Sequence, residues 1–220
     1  MTEQGKAETA ARIFDPNTLS ELHMDALREV GNIGAGTAAS SLSTMTGQPV
    51  AMAVPCVSLV PIEDVPDMIG AAEDVIAAVY MGVVGDAPGY IMFVMPLDEA
   101  HSVCDLLLGS MPFGEAGPSG FCDMQLSALQ EVGNILTGSY LRALADLTGL
   151  HLEPTPPVLG VDMVAALVGT VLSEVARTSE LALMIETAFG NDTSTSVGQF
   201  VYVPEQGSVG AVLGGLGMYA

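Results

Sequence analysis

Glu29-Val30-Gly31-Asn32 and Glu131-Val132-Gly133-Asn134 are one tetrapeptide written twice, and in each copy twenty-two further residues separate the Asn from a proline, Pro55 or Pro157. At the same ungapped offset of 102 residues the chain repeats Ala26 as Ala128, Leu27 as Leu129, Ile33 as Ile135, Gly36 as Gly138, Leu42 as Leu144 and Gly47 as Gly149. The sequence is an internal duplication. Two similar cores account for the shared Leu and Ile. They do not account for the shared Glu and Asn.

Helical geometry says where the polar residues stand. Asp25, Glu29 and Asn32 fall at i, i+4 and i+7, one stripe of an α-helix, and Ser127, Glu131 and Asn134 repeat it. Leu22, Ala26, Val30 and Ile33 are expected to form the core-facing side of the first helix, which leaves the polar stripe to solvent or a partner. Gly31 and Gly133 each weaken a helix interior by roughly 1 kcal/mol relative to Ala. Close approach of another backbone is the expected reason for keeping them.

The rest of the chain gives the same order of elements twice. A first long helix is predicted over Leu19 to Met45, with Thr18 or Ser20 as N-cap and Gly47 as its stop. A strand follows over Val50 to Val60, then a helical turn over Ile62 to Ile69, strands over Val75 to Val84 and Gly89 to Met95, and a helix from Leu97 to Leu108. Ser110 to Gly120 reads as the loop between halves. The second unit has a helix over Met124 to Leu147 and strands over His151 to Val161, Leu181 to Ala188 and Val197 to Val203. A helical run from Met163 to Ala176 enlarges its first connection, and a glycine-rich helix over Glu205 to Gly217 closes it. The expected class is α/β: a pseudo-twofold duplication in which strands of both halves make one mixed sheet with long helices packed on it. Residues 1–17 are expected to be a mobile tail and 18–220 one domain made of two repeats, 18–109 and 121–217.

Composition excludes several classes. Five Lys plus Arg against twenty-six Asp plus Glu give a net charge of −21, which argues against nucleic acid or an anionic membrane as partner. Cys56, Cys104 and Cys122 form no Cys-x-x-Cys pair, and the N-terminus lacks the apolar core of a signal peptide, so a cytoplasmic location is expected. No run reaches the ~18 apolar residues of a membrane helix. His23, His101 and His151 are scattered, and a solvated or capping role is expected for the His101–Asp105 pair rather than a metal site. Gly34-x-Gly36-x-x-Ala39 has the outline of a dinucleotide fingerprint but lies inside a helix, and Leu136 replaces its first glycine in the second copy. Small residues there are read as allowing helices to pack closely.

The spaced pattern Asp25-x3-Glu29-x2-Asn32-x22-Pro55, repeated as Ser127-x3-Glu131-x2-Asn134-x22-Pro157, resembles the signature of the CheC/CheX/FliY phosphatases, which act on phosphorylated CheY, the chemotaxis response regulator. The stretch GNIGAGTAASSLSTMTG after Val30 is similar to the first helix of CheC. The resemblance covers about residues 19 to 217, and it implies a CheC-like fold with two sites. It also implies that Glu29 and Glu131 pair with the regulator's active-site Lys, that Asn32 and Asn134 orient the attacking water, and that Asp25 and Ser127 contact the partner. Pro55 and Pro157 are expected to fix the following strand. No cofactor or metal of its own is implied, because the regulator brings its Mg²⁺. The alternative carried by the same resemblance is a binding or scaffold protein, regulating the CheD receptor deamidase or acting as a flagellar-switch component. The FliY type is disfavoured by the expected absence of a further domain after residue 217.

Overall fold

The computed structural model describes residues 21–109, 114–175, 180–191, 195–205 and 207–217, with the backbone alone for 21–24. The expected N-caps Thr18 and Ser20, the tail and Ala176 lie outside the described residues. The elements are α1 (Glu21–Thr46), β1 (Ala51–Pro61), a 3-10 turn (Ile62–Asp64), α2 (Val65–Ile69), β2 (Val75–Gly85), β3 (Gly89–Pro96) and α3 (Leu97–Leu108) in the first half. The second half has α4 (Asp123–Thr148), β4 (Leu152–Pro154), β5 (Val158–Met163), α5 (Val164–Val175), β6 (Leu181–Gly190), β7 (Thr195–Pro204) and α6 (Ser208–Gly215).

Seven strands form one sheet in the order β1-β6-β7-β3-β2, with β4 and β5 both paired to the outer side of β2. Every ladder is antiparallel. The sheet is therefore mixed only in drawing strands from both halves, and the expected mixture of strand directions is corrected. The halves exchange their first strands: β1 pairs with β6, and β5 pairs with β2. Read from either edge, the order runs first strand, the other half's second strand, then its third. The pseudo-twofold axis thus passes between β3 and β7.

The single strand expected over His151 to Val161 is two strands. Pro156 and Pro157 have no N–H to give a ladder, so pairing to β2 ends at Pro154 and resumes at Val158. Thr155 covers the break: its N–H donates to the Gly82 carbonyl at 2.8 Å, and its Oγ1 accepts from the Gly82 N–H at 2.9 Å. At the related place in β1 the register shifts between Ala53 and Cys56, across Pro55. Both prolines of the repeated pattern therefore interrupt an edge strand.

Helices α1 and α4 cover one face of the sheet. Leu27, Val30, Leu42, Leu129, Leu136 and Tyr140 pack there on Val79, Phe93, Ile185 and Phe200. The opposite face, with Ala78, Met92, Met184 and Val201, is covered by Val65 of α2 and Val164, Val168 and Val171 of α5. The buried side of α1 differs from the expected one: Leu27 and Val30 are each 1% exposed, whereas Ile33 is 39% exposed. Because α1 packs on α4 as well as on the sheet, its buried face turns toward Gly34, Ala35 and Ala38. Gly34 is the point of closest approach between these helices, since a Cβ there would lie 2.5 Å from Tyr140 Cδ1 and 3.1 Å from Tyr140 Cα.

The neighbours of the repeated glycines are strand side chains, not another backbone. A Cβ on Gly133 would overlap Val79 Cβ, and one on Gly31 would come 3.0 Å from Val54 Cγ1. Helix α1 ends at Gly47 and α4 at Gly149, with φ of 67° and 70°. At the start of α4 the Cys122 N–H donates to Gln125 Oε1 at 3.0 Å. His101, expected to be solvated or capping, stacks on Phe121 with ring centroids 4.1 Å apart and so ties α3 to the entry of α4. Burial, and secondarily Asp105, pushes the Cys104 thiol up to about 12, which removes it as a nucleophile. Among the described residues no helix is long and apolar enough to cross a membrane, and no three His, Cys, Asp or Glu gather as a metal site.

Candidate functional site

Two polar stripes stand on the outer sides of α1 and α4. On α1, Asp25, Glu29 and Asn32 are all exposed, as the i, i+4, i+7 spacing requires once Leu27 and Val30 face the core. On α4, Ser127 and Glu131 are exposed and Asn134 is half-buried. The helix that carries each stripe is held down by its repeated glycine. Gly31 sets α1 against Val54, the residue next to Pro55, and Gly133 sets α4 against Val79.

The first stripe contains one ion pair. Arg28 Nη1 donates to Asp25 Oδ1 at 2.9 Å, with side chains 57% and 65% exposed. Such a surface i,i+3 pair contributes only about 0.3–0.5 kcal/mol and is readily exchanged for another partner. Among the described residues, Glu29 and Asn32 have no hydrogen-bond or ionic partner. The carboxylate and the carboxamide stand ready, roughly one helical turn apart.

The second stripe is more tied down. Asn134 Nδ2 donates to Glu131 Oε2 at 3.5 Å, a long bond that sets the carboxamide beside the carboxylate. Ser127 Oγ donates to the Asp123 carbonyl at 2.9 Å, so its hydroxyl hydrogen is used within the helix. Gln130 Nε2 donates to the Pro157 carbonyl at 3.1 Å, fastening the break between β4 and β5 to α4. The structure thus brings Glu29 with Asn32 and Glu131 with Asn134. Asp25 and Ser127 lie one turn earlier, while Pro55 and Pro157 act on the edge strands.

Arg28 and Gln130 stand at corresponding positions but differ in residue type, so the repeated tetrapeptide, which begins one residue later in each copy, does not mark them. The signal that could have found Arg28 was its rarity, one of five Lys plus Arg in the chain. Chemically, a carboxylate on such a stripe can hold an ammonium, and a carboxamide can orient water or a phosphoryl oxygen. The carboxamide cannot serve as a general base at neutral pH, so orientation is the role open to it.

A duplicated α/β protein with one antiparallel sheet, two long helices on one face and a Glu–Asn pair on the outer side of each is the class that fold and site define. The CheC-like family model matches residues 22–59 and again 124–161, the two helix-and-edge-strand segments that carry the stripes. CheY-P phosphatase CheC of Bacillus subtilis (strain 168) is 38% identical over 172 residues, covering 78% of this chain and 82% of that protein. The flagellar motor switch phosphatase FliY of the same strain is 28% identical over 145 residues, 66% of this chain but 37% of that longer protein. The crystal structure of Thermotoga maritima FliY superposes with a TM-score of 0.71 over 91% of this chain and 98% of that one, at 21% identity, an agreement in fold. The chain belongs to the CheC-like family.

Proposed function

We propose that this chain hydrolyses the aspartyl phosphate of a phosphorylated CheY-type response regulator, at two sites. The observation that carries the reading is the 38% identity to the phosphatase CheC across 82% of that protein, joined to a Glu–Asn pair on each matched helix, fully exposed on α1 and with Asn134 half-buried on α4. The regulator supplies the Mg²⁺ and a Lys beside its phosphoryl group. Glu29 or Glu131 takes the Lys ammonium, which sets the helix in register on the regulator. Asn32 or Asn134 then accepts a hydrogen bond from a water and aims it at phosphorus, in line with the acyl oxygen.

Attack forms the new P–O bond as the bond to the aspartyl oxygen breaks. The Asp carboxylate leaves with the electron pair, and the water's proton departs with inorganic phosphate. Phosphoryl transfer responds mainly to positioning and electrostatics, so an orienting amide is sufficient. A cytoplasmic location follows from this substrate.

The test is release of phosphate from a phosphorylated CheY-type regulator by wild type, Asn32→Ala, Asn134→Ala and the double variant. Loss in the double variant supports the reading, and turnover that survives it places the chemistry elsewhere. Absence of wild-type turnover together with tight binding of CheD would put a scaffold role in its place.

A further inference from the structure

We propose that Arg28 is a substrate-binding residue of the first site, where its guanidinium leaves Asp25 and takes non-bridging oxygens of the phosphoryl group, and that the second site has no such cation. This rests on the phosphatase reading above. Arg28 lies four residues before Asn32, so it stands on the same stripe, about 6 Å back along the axis. A guanidinium spans that distance and presents a planar fork that matches two phosphoryl oxygens. Its present partner, Asp25, is as open to solvent as Arg28 itself, so exchanging one anion for another needs no unburying.

Charge sharpens the assignment. The chain has to bring a surface of net charge −21 against a phosphorylated side chain. Among the described residues Arg28 and Arg142 are the basic side chains, and Arg142 lies eight residues beyond Asn134, about 12 Å along α4. Among the described residues, the cation on a stripe is therefore Arg28 alone. At the corresponding place in the second half, Gln130 is neutral and directed to the Pro157 carbonyl at 3.1 Å.

The experiment isolates the first site in an Asn134→Ala background and measures kcat and KM with a regulator phosphorylated by a small-molecule phosphodonor. Binding is measured in parallel to the unphosphorylated regulator and to the regulator carrying beryllofluoride. Arg28→Ala is expected to lower kcat/KM by about tenfold or more, the size of one hydrogen bond to a charged group. Arg28→Lys should recover part of the loss, and Arg142→Ala, which removes the same charge elsewhere, should stay within about twofold. Affinity for the beryllofluoride form should fall, and that for the unphosphorylated form should not.

Four results overturn the assignment: unchanged kcat/KM in Arg28→Ala, an equal loss in Arg142→Ala, an equal loss of affinity for both regulator forms, or an Asn134→Ala background with no turnover at all. Failure of the parent reading looks different. There, wild type itself shows no turnover, or Asn32→Ala combined with Asn134→Ala keeps it.

Discussion

The two halves use the same fold to hold the same pair of side chains, yet they fasten it differently. In the first, Gly31 lets α1 sit on Val54 beside Pro55, and the stripe is exposed with an ion pair at its start. In the second, Gly133 sits so close to Val79 that no side chain fits, and Gln130 ties α4 to Pro157. The contact between helices is also lopsided. Gly34 and Ala38 of α1 correspond by repeat to Leu136 and Tyr140 of α4, so the bulk sits on α4 at both positions. The Glu–Asn pair is identical in the two copies, whereas the packing around it differs. Packing can be re-solved with other volumes, whereas a Glu–Asn pair one turn apart has no equivalent substitute.

Five variants put this contrast to the test. The largest effect is expected from Asn32→Ala with Asn134→Ala, which should lower turnover on a phosphorylated regulator by about 10²-fold or more. Each single variant should keep the share of its intact half, so the two singles measure how unequal the sites are. Next, Gly133→Ala should destabilise the fold by about 1–3 kcal/mol in urea denaturation, because Val79 Cβ belongs to β2, a strand paired on both sides, and cannot yield. Gly31→Ala should stay within about 1 kcal/mol of wild type, since relief of the helix penalty offsets a mild contact with Val54. Equal losses at the two glycines would end the claim that the halves are fastened differently.

Tyr140→Phe comes third. The Tyr140 hydroxyl lies 2.8 Å from Thr187 Oγ1 in the core between α4 and β6, and removing it leaves a fully buried threonine hydroxyl without its partner. A loss of about 1–2 kcal/mol is expected in the same denaturation assay, with turnover unchanged. The smallest effect is expected from Gln130→Ala, which frees the Pro157 carbonyl. It should cost about 0.5–1.5 kcal/mol and slow the second site, measured in an Asn32→Ala background, without altering the first.

Much of this was legible in the chain. The repeat spacing gave two like units, and the 3.6-residue period gave the ends of α1 and α4 to within a residue or two over their described lengths. Glu29, Asn32, Glu131 and Asn134 stand outward where their spacing put them. Ile33 did not stay in the core, because apolar periodicity cannot register that α1 must also meet α4. The break in the strand after His151 was written in Pro156 and Pro157, but its repair by Thr155 depends on Gly82, far away in sequence.

The duplication, the order of elements and the polar stripe on each long helix are written in the residues alone. These follow from local periods, backbone propensities and residue spacing, which a chain carries wherever it folds. The exchange of edge strands between halves, the valines of the sheet facing Gly31 and Gly133, and the pairing of Arg28 with Asp25 and of Gln130 with Pro157 emerge in the folded molecule. Those outcomes depend on which surfaces meet, and long-range contact between helices and strands is set by the packing of the whole core.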